Sequence, residues 1–170
     1  MLRIVESTSA AAAKSYYTES LTRGDYYLEQ GEIVGRWGGR GAERLNLVGT
    51  VDRKSFEHLA ENLTPEGLSL TARTKDHRRV GYDLNFHAPK SLSILYGHTG
   101  DERVLESFRQ AVDSTMRAME SEMKARVRVG GEHADRITGN LVWAEFVHTT
   151  ARPVRGVADP HLHAHCFTFN

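Results

Sequence analysis

The sequence is poor in several things, and each shortage removes a class of protein. It has a single cysteine, Cys166, so no intramolecular disulfide framework holds it together. Its 22 basic and 22 acidic residues cancel to a formal net charge of +0. That is not the composition of a protein that coats nucleic acid through charge alone; any DNA contact must come from local patches. No apolar run reaches the length of a membrane span, and the N-terminus does not read as a signal peptide, so the expectation is a cytoplasmic protein with no membrane insertion. There is no Gly-x-x-x-x-Gly-Lys-Ser/Thr phosphate loop and no dinucleotide fingerprint, which argues against ATP hydrolysis by this stretch. No internal repeat, low-complexity linker or composition break appears either. With 170 residues and 39% hydrophobic content the chain reads as one domain, residues 1–170.

What is present is concentrated at the C-terminal end. In Asp159-Pro160-His161-Leu162-His163-Ala164-His165-Cys166-Phe167 three histidines recur at every second position. Side chains alternate across a strand, so His161, His163 and His165 share one face while Leu162, Ala164 and Cys166 share the other. Upstream, Leu141 to His148 is a second strand-like run, rich in aromatic and β-branched residues. Paired strands lie about 4.8 Å apart, which lets His148 point toward two histidines of the last strand. Imidazoles gathered on a rigid sheet suit a divalent metal with open coordination positions, Zn²⁺ and Ni²⁺ included. Alternate residues on a strand sit roughly 6.5–7 Å apart, so all three of the last strand cannot easily share one ion, and spacing alone leaves open which three would.

The rest of the chain reads as alternating helices and strands. Residues 1–5 predict a strand and 9–17 an alanine-rich helix. Residues 35–44 read as an exposed loop turning into a helical segment. Asp52 to Leu63 predicts an amphipathic helix with Asp52 as its N-cap. Val80 to Phe86 alternates as a strand, with Tyr82, Leu84 and Phe86 on one face and Asp83 and Asn85 on the other. Lys90 to Tyr96 is a further apolar segment. The strongest periodicity predicts a helix from Asp101 to about Arg126, supported by pairs four apart (Asp113/Arg117, Glu120/Lys124, Glu122/Arg126) and ended by Gly130-Gly131. The order implies an α+β layer structure.

Other chemistry lies in two tyrosine doublets, Tyr16-Tyr17 and Tyr26-Tyr27, in Asp83, and in the basic residues Arg36, Arg40, Arg44, Lys75, Arg78, Arg79 and Lys90. A phenol oxygen can attack phosphorus, but holding an ordinary phenolate at pH 7 costs about 4 kcal/mol. A metal on the phosphate and a carboxylate to take the proton lower that demand, and Asp83 is the candidate carboxylate. Its other reading is to orient a ligand histidine through the second ring nitrogen.

Together these motifs, in this order, resemble the N-terminal relaxase domain of TrwC/TraI-type (MobF) conjugative relaxases of the HUH endonuclease superfamily. The residues that carry the resemblance are the two tyrosine doublets, Gly35-Arg36-Trp37 through Glu43, Gly81-Tyr82-Asp83-Leu84-Asn85-Phe86-His87-Ala88-Pro89-Lys90-Ser91, and Thr138-Gly139-Asn140 through His148 to Asp159-Pro160-His161-Leu162-His163-Ala164-His165. The resemblance implies an antiparallel central sheet with flanking helices in a two-layer fold. It implies a metal triad at His148, His163 and His165, catalytic tyrosines at Tyr16 and Tyr26 with Tyr17 and Tyr27 secondary, and an active-site aspartate at Asp83. Mg²⁺ or Mn²⁺ is the metal it implies. The reaction implied is strand-specific nicking and rejoining of single-stranded DNA at a transfer origin, through a 5′-phosphotyrosine, in a bacterial cytoplasm during plasmid mobilization. Arg36, Arg40, Lys75, Arg78, Arg79 and Lys90 are the candidate DNA contacts. The chain departs from the family by carrying His161 where glutamine is usual and by a longer segment from Arg152 to Ala158. Family domains continue past this point, commonly into a helicase domain, so a truncated catalytic portion is the expectation. A metal-dependent hydrolase built on the histidines and an inactive DNA-binding remnant are the competing readings.

Overall fold

A computed structural model describes residues 1–23, 33–72, 74, 78–130 and 132–170. It is organised around a five-stranded antiparallel sheet. In chain order its elements are β1 (Leu2–Ser7), α1 (Ala10–Tyr16) running into a π-helical turn (Tyr17–Leu21), β2 (Arg36–Gly38), α2 (Arg40–Arg44), α3 (Arg53–Ala60), β3 (Gly81–His87), α4 (Lys90–Thr99), α5 (Glu102–Ser121), β4 (Lys124–Val129), β5 (Glu132–Ile137), β6 (Trp143–Thr150) and β7 (Pro160–Phe169). The strand order is β1-β3-β7-β6-β2, with β4 and β5 forming a separate hairpin. The α+β architecture therefore holds, with the histidine strand at the centre of the sheet, where neighbours on both sides pin its register.

Each face of the sheet has its own core. On one, Tyr17 and Leu21 of the π turn and Phe56 of α3 pack on Phe146 and Phe167. On the other, Val112 and Met116 of α5 pack on Leu84, Trp143, Ala164 and Cys166. The helix starts follow the capping residues. Ser9 Oγ accepts from Ala12 N, Asp52 Oδ1 from Ser55 N, and Asp101 Oδ1 from Arg103 N.

Two expectations are corrected. The segment read as an exposed loop contains β2, which pairs with β6 through Arg36↔Glu145, Trp37↔Ala144 and Gly38↔Trp143. Its glycines make the close approach possible: a Cβ on Gly38 would stand 2.3 Å from the Trp143 ring, and Gly39 has φ +97°. The long helix ends at Ser121 rather than near Arg126, and Lys124 to Val129 is a strand. The pairs Glu120/Lys124 and Glu122/Arg126 are consequently not helical pairs, whereas Asp113 and Arg117 do form one at 2.8 Å. Glu120 has a different task. It is 3% exposed, and its Oε1 accepts from the backbone amides of Arg40 and Leu141, each at 2.8 Å. Gly130 belongs to the turn between β4 and β5, not to a helix end. The apolar segment after Pro89 is helix α4. Among the described residues no helix is long and apolar enough to cross a membrane.

Candidate catalytic and metal site

The site forms where β3, β6 and β7 meet the end of α1. Along β7, Leu162, Ala164 and Cys166 are fully buried on one side of the sheet, which turns His161, His163 and His165 to the other. Register then fixes the neighbours. His148 of β6 stands opposite His163, Asn85 of β3 opposite His165, and His87 opposite His163 from the other flank. The β6–β7 register shifts between His148 and Thr150, immediately beyond that pair. Such irregularities re-aim side chains beside functional positions.

Tyr16 reaches this face because it is the last residue of α1. Successive helical residues are turned by about 100°, so the two members of the doublet diverge. Tyr17 goes into the core, with ring centroids 4.6 Å from Phe56 and 5.8 Å from Phe146. Tyr16 goes to the histidines. Its hydroxyl donates to Asp83 Oδ2 at 2.5 Å and lies 2.9 Å from His165 Nδ1, which is itself 2.9 Å from Asp83 Oδ2. Asn85 Nδ2 donates to the same carboxylate oxygen at 2.8 Å. Asp83 Oδ2 thus gathers three polar neighbours, while the buried Oδ1 makes no hydrogen bond.

The electrostatics follow from these contacts. Burial works to raise the Asp83 carboxyl, but the hydrogen bond and charge of His165, with the bonds from Tyr16 and Asn85, outweigh it and hold it below the usual carboxylate range. Burial first, and then the charge and hydrogen bond of Asp83, push the Tyr16 phenol well above its ordinary value. The resting site is a neutral phenol against an ionised carboxylate.

The three rings of His148, His163 and His165 form a nearly equilateral triangle, with centroids 5.0, 5.2 and 5.2 Å apart. Among the described residues no group of three or more His, Cys, Asp or Glu side chains is closed around a metal position as it stands. The spacing nevertheless suits one. Imidazoles bound at about 2.1 Å put their centroids about 3.2 Å from the ion, hence about 5 Å from each other at near-tetrahedral angles. The strand backbones therefore set the right separation, and ring rotamers are what a cation would adjust. The donor chemistry fits as well. Nδ1 of His163 lies 2.8 Å from the His161 carbonyl oxygen, and Nδ1 of His165 faces Asp83, which leaves Nε2 of both rings as the nitrogen available to a metal. Nε2 of His148 is buried and makes no hydrogen bond there, although the residue is engaged elsewhere in the fold. Burial pushes His163 down to about 3, against the pull of the His161 carbonyl and with help from neighbouring His148 and His165. The ring is therefore neutral near pH 7, the form that binds metal.

The remaining sequence candidates are more dispersed. Tyr26, Tyr27 and Lys75 lie outside the described residues. Arg36 pairs with Glu145 at 3.0 Å. Its cross-strand neighbours put it on the Cys166 side of the sheet, away from the histidines. Arg78 turns its guanidinium onto the carbonyl oxygens of Ala60 (2.5 Å) and Asn170 (3.2 Å), bracing the end of α3 against the chain terminus. Arg79 pairs with Glu6 at 2.9 Å, and Lys90 donates to the Pro160 carbonyl at 3.0 Å. Arg40 contributes its backbone amide to Glu120. Asn85 joins the site through the strand face it shares with Asp83, and that shared parity is the signal that marks it in the sequence.

The family profile described as TrwC relaxase matches residues 10–170. The chain belongs to the TrwC relaxase family. It is 40% identical over 173 aligned residues to the multifunctional conjugation protein TraI of Escherichia coli K12, covering all of this chain and 9% of that relative. Among solved structures, the conjugative relaxase TrwC in complex with oriT DNA, in its metal-bound form, superposes with a TM-score of 0.82 at 34% identity, over 100% of this chain and 57% of that one. A copper-bound form of the same complex matches with a TM-score of 0.82 at 35% identity. This member of the TrwC relaxase family thus spans a little over half of the solved relaxase chains and about a tenth of the curated relative.

Proposed function

We propose that this chain is the catalytic portion of a DNA relaxase that nicks and rejoins one strand at a transfer origin by tyrosine attack on a phosphodiester. The observation that carries the reading is the convergence of Tyr16 Oη on Asp83 Oδ2 and His165 Nδ1, from positions 67 and 149 residues apart in sequence. Family membership supports it, and so do TrwC structures that contain oriT DNA.

In this reading Tyr16 Oη attacks the scissile phosphorus. Its proton passes to Asp83 Oδ2 along the existing hydrogen bond. The P–O3′ bond breaks, the 3′ oxygen leaves and takes up a proton, and the 5′ phosphate stays on Tyr16. One phosphodiester replaces another, so rejoining needs no ATP. His148, His163 and His165 would hold a divalent cation, and the chemistry it would supply when bound is polarisation of a phosphate oxygen. His165 has two duties in this scheme, donating through Nδ1 to Asp83 and ligating through Nε2. Asn85 keeps the carboxylate oriented. The reacting nucleotides must be unpaired to reach the sheet face. Tyr26 would serve a second strand transfer. Identity of the ion stays at a divalent metal, with Mg²⁺ or Mn²⁺ by resemblance and late transition metals by ligand type. Further polypeptide such as a helicase domain, and a cytoplasmic location, belong to the same reading.

The test is a denaturant-resistant DNA–protein adduct on single-stranded origin oligonucleotides with metal present. The expected result is an adduct that Tyr16→Phe eliminates and Tyr17→Phe does not. Cleavage with metal but without an adduct, indifferent to Tyr16→Phe, would instead assign a hydrolase that activates water on the histidines.

A further inference from the structure

We propose that His87 and His161 form a second cation site, distinct from the His148/His163/His165 triangle and selective for late first-row divalent ions such as Zn²⁺, Ni²⁺ or Cu²⁺. The mechanism above uses neither imidazole. His87 Nδ1 and His161 Nε2 face each other at 3.1 Å, and the two ring planes lie within 7° of parallel with centroids 5.1 Å apart. Nitrogens bound at about 2.0–2.1 Å and separated by this distance subtend roughly 97° at an ion, between the square-planar and tetrahedral angles. Rotation of the two rings would turn their lone pairs from each other onto such an ion without changing the strand backbones.

The backbone under the pair is firmly held. His87 N donates to Met1 O at 3.0 Å, Ala88 N to Leu162 O at 3.0 Å, and the N-terminal amine to His87 O at 3.1 Å. Leu162 N, next to His161, donates at 3.0 Å to Oγ of Ser93, which is 1% exposed. Two ligands on paired strands thus meet without ordering a loop. Both rings are only partly buried, so water can fill the remaining coordination positions. The Lys90 ammonium, which opposes a second positive charge here, is turned onto Pro160 O at 3.0 Å and lies 3.7 Å from Asp159 Oδ2. His163 is close to both rings; its Nδ1 faces the His161 carbonyl, and its Nε2 is the nitrogen the proposed function gives to the first site. Two imidazoles and water suit Zn²⁺, Ni²⁺ and Cu²⁺ and disfavour Mg²⁺, which demands oxygen ligands.

The experiment counts ions per chain by equilibrium dialysis of the intact protein against Zn²⁺, Ni²⁺ or Mg²⁺, with a thermal melt to show that each variant is folded. Zn²⁺ and Ni²⁺ are expected to reach two per chain in the wild type, and one in each of His87→Gln, His87→Ala and His161→Gln. Mg²⁺ should not fill the second site in any of them. A wild type that takes up one ion unaffected by His87→Gln, or variants that keep both ions, would overturn the proposal. His148→Ala separates the two sites. If it retains one ion that disappears on adding His87→Gln, the pair stands on its own. If the wild type binds a single ion that His87→Gln removes and His148→Ala does not, the pair is upheld and the triangle fails.

Discussion

Tyr16 and Tyr17 are neighbours in sequence and of one residue type, yet they end in opposite surroundings. Tyr17 is 5% exposed, wedged between Phe56 and Phe146. Tyr16 is only partly buried, with its hydroxyl on an ionised carboxylate. The same contrast runs along one face of β7, where His161, His163 and His165 give way to Phe167 and Phe169. The aromatic end anchors the strand in the core beneath α3, through Phe56 against both Phe167 and Phe169. The histidine end lies beyond that packing. A rigid apolar half therefore supports a polar half whose own contacts are few and specific, and changes in the two halves should fail in different ways.

The largest effect expected is at the polar end. Tyr16→Phe removes one oxygen and little packing, so adduct formation should fall by more than about 10³-fold while the melting curve is nearly unchanged. An equally large loss in Tyr17→Phe would erase the division between the doublet's members. In the proposed mechanism Asp83→Asn removes the proton acceptor while keeping its shape, and single-turnover cleavage should slow by about 10²- to 10⁴-fold. At the apolar end the readout reverses. Phe56 of α3 is fully buried, and Phe56→Ala should destabilise by about 3–5 kcal/mol in urea unfolding, with any loss of cleavage tracking the loss of fold. Metal addition sharpens the boundary. An ion at a hundred times its dissociation constant stabilises by about 2.7 kcal/mol, and His165→Ala should abolish the part of that shift owed to the His148/His163/His165 site. The smallest effect belongs to the far side of the sheet. Cys166→Ser buries a hydroxyl where the thiol is fully enclosed and should lower stability by roughly 1–3 kcal/mol without changing the adduct yield per folded molecule.

Local periodicity made some of this legible and could not reach the rest. The two-residue repeat of His161, His163 and His165 predicts a shared face, and Asp52 and Asp101 announce helix starts, because both signals are written within a few residues. β2 escaped because a three-residue strand with a glycine at its end has almost no propensity of its own; it exists because β6 offers an edge and Trp143 covers the glycine. The end of α5 escaped for the opposite reason. Glu120, Glu122, Lys124 and Arg126 have good helical spacing, but the fold withdraws Glu120 to bind the amides of Arg40 and Leu141, and Lys124 onward pairs with β5 instead. Spacing alone left open which histidines act together. Family resemblance named His148, His163 and His165, and the β6–β7 register brings those three rings to nearly equal separations. The meeting of residues 16, 83 and 165 has no local trace at all, since only the closed sheet brings them together.

The helix that presents the phenol is a screw with a cap at one end and four successive alanines on its thread, Ala10 to Ala13. Removing one alanine after Ser9 would turn Tyr16 by about 100° about the helix axis relative to the cap. The aim of the Tyr16 hydroxyl at Asp83 and His165 is thus set by the number of residues between the Ser9 cap and the end of the helix.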